Sequence, residues 1–448
     1  MLDLSRFRSL LTEYYPLFSI LIGVALISVV LGPFQNTDTQ LEFSAASGVL
    51  RWGMPFMKYA GDMINQPPLG FYTEALVFKI FGLSFNNGVA LITAFGLGCT
   101  FLVYKIGKNL YGKPTGLFAA ALFALTPWQL ALSRSFLIDV QCLFFSLLAL
   151  FVGIYSIRKN SFKLLLVSGT FFAFAFLTKF YAIYALIPLG LFYAYSRPKN
   201  LRRIFTWVGA YFVPLAIFFF IWYQVVSGQG LLGAFANTDF HYFNSGFVPS
   251  YFFVGNFLLS GLSWWFLAAI TLSLLISLTF RKLFSKIIFL DLICLATIII
   301  VGVVNTVLGA GLNLSSPYLN PIKYDYQALP FFSLLAASLA SKCFSVLNSA
   351  KSREKLAKRI FSLIAWLGLG LLGVSIFLNL GYVHQFVASD YIVFRVELNR
   401  VVGYSFFNYE AIGRYSPLMS VMYVGFAFVL SGLLWAGRDK LGRLRKRT

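Results

Sequence analysis

The chain has 448 residues, of which 59% are hydrophobic, 19% aromatic and only 11% charged. This composition excludes an ordinary soluble domain and is typical of a polytopic membrane protein. The formal net charge of +21 does not indicate nucleic-acid binding, because that function needs a basic patch on a soluble fold; we expect membrane lipids with anionic headgroups to be its partner.

Long apolar stretches follow one another along most of the chain. A helix that crosses a membrane needs about 20 apolar residues, and the sequence predicts about twelve such spans. Arg6 and Arg8 precede the first span and no small-residue cleavage site follows it, so we expect an uncleaved span rather than a signal peptide. The spans lie near residues 16–33, 88–107, 115–132, 136–157, 163–178, 181–196, 204–226, 251–279, 287–305, 327–347, 360–380 and 416–436.

Lys and Arg are abundant in every second loop. Most of the 36 basic residues follow this alternation when Arg134 and Lys179 are taken as breaks between helices. The positive-inside rule then places these loops and both termini in the cytoplasm. Most of the fifteen acidic residues fall on the opposite side, so we expect an active site on the extracellular or periplasmic face of the cell membrane.

The first external loop, residues 34–87, is long and is not of low complexity. It predicts two amphipathic helices at the membrane surface, separated by a Gly/Pro turn, which would roof a cavity at the outer leaflet. Apolar residues recur at helical spacing at Leu41, Ala45, Val49 and Trp52, and again at Leu69, Tyr72, Leu76 and Ile80.

Arg134 and Asp139 interrupt the apolar stretch LTPWQLALSRSFLIDVQCLFF. A charge near hydrocarbon costs about 2.5–3.5 kcal/mol, so each needs compensation. We expect Asp139 in the first turn of a span, with Ser133 or Ser135 as the N-cap. The positive end of the helix dipole would stabilise the carboxylate and attract anions.

Asp291 lies within a predicted span, where we expect it to pair with a basic residue such as Lys286. The four cysteines fall within or beside apolar stretches and lack the spacing of metal sites. Neither disulfides nor structural zinc are therefore expected.

Several segments, in their order and spacing relative to the spans, resemble the lipid-linked-sugar glycosyltransferases with the GT-C fold, in particular the protein O-mannosyltransferase and aminoarabinose-transferase branch. These segments are Asp38 after the first span, RWGMPFMKYAGDMINQPPLGFYTEALVFKIFG, TPWQLALSRSFLIDV, FAFAFLTKFYAIYALIP and NPIKYDYQALPFFSLLAA. The resemblance implies an all-α GT-C-type bundle of about twelve transmembrane helices, with amphipathic surface helices in the first external loop. We expect one integral membrane domain over 1–448, with a GT-C-like core over 16–345 and C-terminal helices with a basic cytoplasmic tail over 346–448.

The resemblance also implies roles for individual residues. Asp38 would be the catalytic base and Asp139 the second functional acid. The donor phosphate would be held by the cations Arg134, Lys179 and Lys323. Relatives often carry Lys or His at the position of Gln66. The glutamine of this chain is uncharged and cannot neutralise a phosphate. Substrate contacts are expected from Glu42, Gln66, Pro67, Pro68, Asp325 and Tyr326.

Transfer from a lipid phosphate sugar suits this small set of groups. The leaving group is already a stable phosphate anion, so no general acid has to protonate it, in contrast to glycosidases. One carboxylate suffices to take the proton of the acceptor hydroxyl, and cations stabilise the charge on the departing phosphate. Two acids at one site could instead hold Mg²⁺ or Mn²⁺ through oxygen ligands, and Asp38 and Asp139 would then be the ligands.

The sequence therefore predicts a membrane glycosyltransferase that moves one hexose or pentose, of the mannose kind, from a polyprenyl or dolichyl phosphate to a hydroxyl group of a lipid, glycan or protein, with inversion. A ligase for a whole lipid-linked glycan stays open as an alternative, as does a transporter or flippase. A transporter typically has repeats with broken helices in matching positions, and no convincing repeat relates the two halves of this chain. A non-catalytic subunit that organises lipid carriers would be supported if Asp38 and Asp139 lay far apart.

Overall fold

The structure is a bundle of apolar helices. The computed structural model describes residues 4–33, 37–57, 62–64, 66–196, 201–226, 264–279, 281–310 and 326–348. Within these ranges the helices are α1 (Leu4–Leu31), α2 (Thr37–Trp52), α3 (Leu69–Phe81), α4 (Phe85–Tyr111), α5 (Lys113–Leu125), α6 (Pro127–Leu132), α7 (Asp139–Lys159), α8 (Phe162–Thr178), a 3₁₀ helix (Phe180–Ala185), α9 (Leu186–Tyr195), α10 (Leu201–Val226), α11 (Trp264–Thr279), α12 (Arg281–Ala310) and α13 (Leu329–Asn348). An antiparallel pair of two-residue strands, β1 (Phe56–Met57) and β2 (Asp62–Met63), lies between α2 and α3.

Four helices of the described part are long and apolar enough to cross a membrane: Phe85–Tyr111, Asp139–Lys159, Ile204–Trp222 and Ile287–Val304. Shorter apolar helices accompany them at Tyr14–Val29, Lys113–Leu125, Phe162–Thr178, Phe180–Tyr195 and Tyr326–Leu339. The prediction of an all-helical polytopic membrane protein is confirmed. The predicted spans 360–380 and 416–436 lie outside the described residues, so the number of twelve spans and the division of the chain into regions stay predictions.

Both helix breaks that the loop charges required are present. α6 ends at Leu132 and α7 begins at Asp139, which leaves Arg134 in the connection. At the end of α8 the backbone of Lys179 is extended, with φ −160° and ψ 140°. A further break, at Thr126, divides the predicted span 115–132. Its cause is Pro127, because a proline disfavours helical backbone at the residue before it.

α7 packs against α8 and α4, α8 packs against α10, and α5 packs against α4 and α13. Glycines permit the close approach of α4 and α5, since a Cβ atom at Gly116 would lie 2.5 Å from the backbone nitrogen of Lys108. Small residues at helix contacts are typical of membrane bundles, where close packing replaces the hydrophobic effect as the driving force. This packing fixes the position of α7, whose first residue is Asp139.

The two surface helices predicted between the first and second spans are present as α2 and α3, and they pack against each other. Ala45 and Phe71 are buried in a small apolar cluster that these helices share with Phe136. Leu76 and Ile80, from the predicted apolar stripe of α3, are 58% and 64% exposed. α3 therefore packs on the protein through other residues. Leu76 and Ile80 remain exposed, where lipid can cover them.

Candidate active site at the N-terminal end of α7

Asp139 and Lys179 form a buried ion pair at the start of α7. Lys179 Nζ donates a hydrogen bond of 2.7 Å to Asp139 Oδ2, and the two side chains are 7% and 2% exposed. The lysine also lies over the ring of Tyr181, 5.7 Å from its centroid. Each charge compensates the other, which explains how an apolar stretch accommodates Asp139.

The antiparallel arrangement of α7 and α8 produces this pair. Only residues 160 and 161 separate the two helices, so the first residue of α7 and the residue after α8 come together at one end of the hairpin. The sequence predicts separate roles for Asp139 and Lys179 and does not predict their pairing. The signal was present, because both charges lie at predicted helix breaks on the same side of the membrane.

The predicted N-cap of α7 is wrong. Ile138 occupies the N-cap position and its own side chain does not cap the helix, while the hydroxyl of Ser133 donates to the carbonyl of Leu130 at 3.5 Å. The N–H of Ile138 instead donates to Glu42 Oε2 at 2.8 Å. Glu42 lies on α2, so the acceptor comes from a helix that local sequence rules do not consider.

Arg134 is 1% exposed and anchors the connection before α7. Its Nε donates to the carbonyl of Leu130 at 2.9 Å, and its Nη1 donates to the carbonyl of Gly32 at 2.5 Å. The buried Nη2 has no hydrogen-bond partner within the described ranges. Burial lowers the pKa of Arg134 to about 9, so the guanidinium remains a cation at neutral pH and keeps N–H groups for an anion.

Gln66, Pro67 and Pro68 lead directly into α3. The two prolines are buried, and Pro68 occupies the N-cap position of the helix. Gln66 Oε1 is a buried oxygen without a hydrogen-bond partner among the residues that the structure describes. The first turn of α3 lies against the residues that directly precede the two partners of the ion pair, because a Cβ atom at Gly70 would lie 2.5 Å from Ile138 Cγ2 and 3.3 Å from Thr178 Cγ2.

The sequence analysis gave no role to Glu74, which is completely buried on α3. Its Oε1 accepts from Gln141 Nε2 at 3.1 Å, and Gln141 Oε1 accepts from the hydroxyl of Thr73 at 2.7 Å. Burial and the nearby charge of Glu42 raise the pKa of Glu74 well above its usual value. A buried carboxyl group therefore joins α3 to the first turn of α7.

The segment before α13 reaches the same region. Tyr326 is completely buried and its hydroxyl donates to Gln129 Oε1. Gln327 Nε2 donates to Cys142 Sγ at 3.5 Å, one turn after Asp139 along α7. The predicted site residues Lys323 and Asp325 lie outside the described residues, and so does the side chain of Asp38, whose backbone belongs to α2.

Asp291 belongs to a different polar cluster, where it pairs with a basic residue, as predicted, and that residue is Lys342. Asp291 Oδ2 accepts from Lys342 Nζ, and Asp291 Oδ1 accepts from the hydroxyl of Tyr111 at 3.1 Å. Lys342 reaches Asp291 from α13, and the side chain of Lys286 lies outside the described residues. Tyr111 ends α4, and the opposite end of α4 packs at Gly88 against Phe136, so this cluster is remote from the ion pair.

The predicted pair of metal ligands is not tested, because the side chain of Asp38 lies outside the described residues. Among the residues that are described, no group of three His, Cys, Asp or Glu side chains could hold a metal ion. The carboxylate of Asp139 is already neutralised by Lys179, which lowers its value as a metal ligand. The carboxylates near the start of α7 instead engage a lysine, a helix N–H and an amide.

The family of dolichyl-phosphate-mannose-protein mannosyltransferases matches residues 65–223 of this chain. That region includes Gln66, Arg134, Asp139 and Lys179. The chain is 26% identical over 141 residues to the putative mannosyltransferase YkcB of Bacillus subtilis (strain 168), which covers 31% of this chain and 20% of that protein. It is 27% identical over 183 residues to an uncharacterized protein of Aquifex aeolicus (strain VF5), over 39% of this chain and 42% of that protein. These matches therefore span about a fifth and about two fifths of the relatives' lengths.

The fold is similar to the crystal structure of ArnT from Cupriavidus metallidurans bound to undecaprenyl phosphate. The TM-score is 0.53 at 15% sequence identity, over 95% of this chain and 77% of that chain. This likeness confirms the GT-C-type fold. Together with the family match, it confirms the resemblance to the GT-C glycosyltransferases that use lipid-linked sugars.

Proposed function

We propose that this protein is an inverting membrane glycosyltransferase that moves one sugar, a hexose or pentose of the mannose kind, from a polyprenyl or dolichyl phosphate to a hydroxyl acceptor on the extracellular or periplasmic face. The observation that carries the proposal is the buried polar site at the start of α7. It contains a guanidinium whose Nη2 has no hydrogen-bond partner among the described residues, and the Asp139–Lys179 pair, both within the region that matches the mannosyltransferase family.

Arg134 and Lys179 are the groups that would bind the donor phosphate. Arg134 Nη2 has no partner in the described part of the chain, and an ammonium group has two further N–H bonds when one is used on a carboxylate. Asp139 would keep Lys179 in place while the phosphate binds. Cations fixed before the reaction stabilise the charge on the leaving phosphate without reorganisation.

Asp38 is the proposed base. As the acceptor oxygen forms a bond to the anomeric carbon, its proton passes to the Asp38 carboxylate and the bond between that carbon and the phosphate oxygen breaks. The phosphate leaves on the lipid carrier as an anion. Asp38 belongs to α2, and the Glu42 contact with Ile138 ties α2 to the start of α7, which supports a common site rather than a non-catalytic subunit.

The carrier class is inferred from chemistry and from relatives. The structurally similar ArnT is bound to undecaprenyl phosphate, which supports a polyprenyl phosphate donor here. Gln66, Pro67 and Pro68 would contact the donor or the acceptor from the start of α3, and Lys323, Asp325 and Tyr326 would do so from the segment before α13.

The test is sugar release from a panel of radiolabelled polyprenyl phosphate sugars by the protein in liposomes, with and without a chelator. Wild type should release sugar from at least one donor, and Asp38→Asn should lose about 10²–10⁴-fold in rate. Gln40→Ala, a change at an exposed position on α2, is the matched control and should retain full rate. Full activity of Asp38→Asn, or no release from any donor by folded wild type, would overturn the proposal.

A further inference from the structure

Glu42 connects the two helices that carry the proposed catalytic acids. On α2 it lies one turn after Asp38, and positions four residues apart share a helix face. Its carboxylate accepts the N–H of Ile138 at 2.8 Å, and Ile138 immediately precedes Asp139. A single side chain thus relates the backbone at one acid to the backbone at the other.

We propose that Glu42 is a positioning residue that sets the separation of Asp38 from Asp139, rather than a contact to the substrate. The inference rests on the proposed function, because it assigns both acids to one reaction. Glu42 is 1% exposed, and its Oε2 is already engaged by the backbone of α7. Burial and a bond to the backbone suit a side chain that holds two helices together.

The hydrogen bond from the N–H of Ile138 to the Glu42 carboxylate belongs to a strong class of hydrogen bonds. The first N–H groups of a helix have no partner within the helix, and the positive end of the helix dipole favours a carboxylate there. A hydrogen bond to an ionised acceptor is roughly twice as strong as a neutral one. Because the pair is buried, water does not compete for the N–H.

α3 holds the same turn of α7 from another side. Gly70 lies so close that a Cβ atom there would be 2.5 Å from Ile138 Cγ2. One turn later on α3, Glu74 accepts from Gln141 Nε2 at 3.1 Å. Ile138 is therefore confined by two surface helices, and Glu42 supplies the polar bond in that arrangement.

Kinetics separate a positioning role from a substrate contact. With the donor from the panel that wild type uses, Glu42→Ala should lower kcat by about 100-fold while KM for the donor stays within about threefold, because misplacement by an ångström costs rate rather than binding. Glu42→Gln, whose amide oxygen can still accept the Ile138 N–H, should retain at least about a tenth of the wild-type kcat. Gln40→Ala should match wild type.

Hydrogen exchange measured by mass spectrometry reports on the stability of the start of α7 and does not require enzymatic turnover. In Glu42→Ala, peptides covering residues 136–142 should exchange faster than in wild type, whereas Glu42→Gln and Gln40→Ala should not change them. Unchanged exchange in Glu42→Ala, or a large rise in KM shared by Glu42→Ala and Glu42→Gln, would overturn the inference alone. No turnover of any donor by wild type would overturn the proposed function, and with it the role assigned to Glu42.

Discussion

Lys179 Nζ lies 2.7 Å from Asp139 Oδ2, and both side chains are almost completely buried. Removal of either partner leaves the other charge buried without compensation. We therefore expect Asp139→Asn and Lys179→Met each to lower the free energy of unfolding by about 3–5 kcal/mol. The double variant should lose less than the sum of the two, as measured by unfolding in detergent.

Lys163→Met is the control for this cycle, because Lys163 is an exposed lysine at the start of α8, the helix that Lys179 follows. It should change the free energy of unfolding by no more than about 0.5 kcal/mol. Strictly additive losses from Asp139→Asn and Lys179→Met would show that the two side chains do not interact.

Arg134 provides a test of the proposed phosphate site. Arg134→Lys keeps a charge but cannot bond both backbone carbonyls and also present a further N–H in a planar fork. We expect donor turnover to fall by about 10²–10³-fold, measured as kcat/KM with the donor that wild type uses. Arg158→Lys, at an exposed position near the other end of α7, should behave as wild type. Equal turnover by Arg134→Lys and wild type would exclude Arg134 from the phosphate site.

The raised pKa of Glu74 predicts that the stability of the protein depends on pH. Burial raises the pKa of this carboxyl group well above 4.5 in the folded protein. Its contribution to stability is then complete below about pH 4.5 and is lost as the pH rises through the folded-state pKa, because the unfolded chain ionises first. Glu74→Gln cannot ionise, so its stability relative to wild type should increase as the pH rises from about 4.5 into the alkaline range.

The measurement for Glu74 is the melting temperature of both proteins in detergent at several pH values across that range. Thr73→Val, which removes a hydroxyl bonded to Gln141 but no titratable group, is the control and should keep the wild-type dependence. A pH profile for Glu74→Gln that runs parallel to wild type would mean that Glu74 does not titrate anomalously.

The close approach of Gly70 to Ile138 predicts that α3 is sterically linked to the start of α7. A Cβ atom at this position would lie 2.5 Å from Ile138 Cγ2, so Gly70→Ala should cost about 1–3 kcal/mol in the free energy of unfolding and reduce transfer activity. Gly190→Ala is the matched control, because no atom lies within 4 Å of a Cβ there and alanine favours the helix. Equal stability and activity of the two variants would contradict the link.

Hydrophobic length and loop charge were sufficient to predict much of the fold. The breaks at Arg134 and Lys179 follow from the alternation of basic loops, and both are present. α2 and α3 follow from helical periodicity between the first two spans. The break at Thr126 was missed, although the Thr126–Pro127 pair is a local signal that a reading of apolar length alone overlooks.

The sequence by itself determined that this is a helical membrane protein and which acidic and basic residues interrupt its apolar stretches, because hydrophobicity, helix length and positive-inside bias act locally along the chain. Tertiary structure alone decided that Asp139 pairs with Lys179, that Glu42 accepts the N–H of Ile138 just before α7 and that the basic partner of Asp291 is Lys342. A buried polar group bonds whatever partner the helix packing brings within about 3 Å. That partner depends on which helices become neighbours in three dimensions, and local sequence patterns do not contain this information.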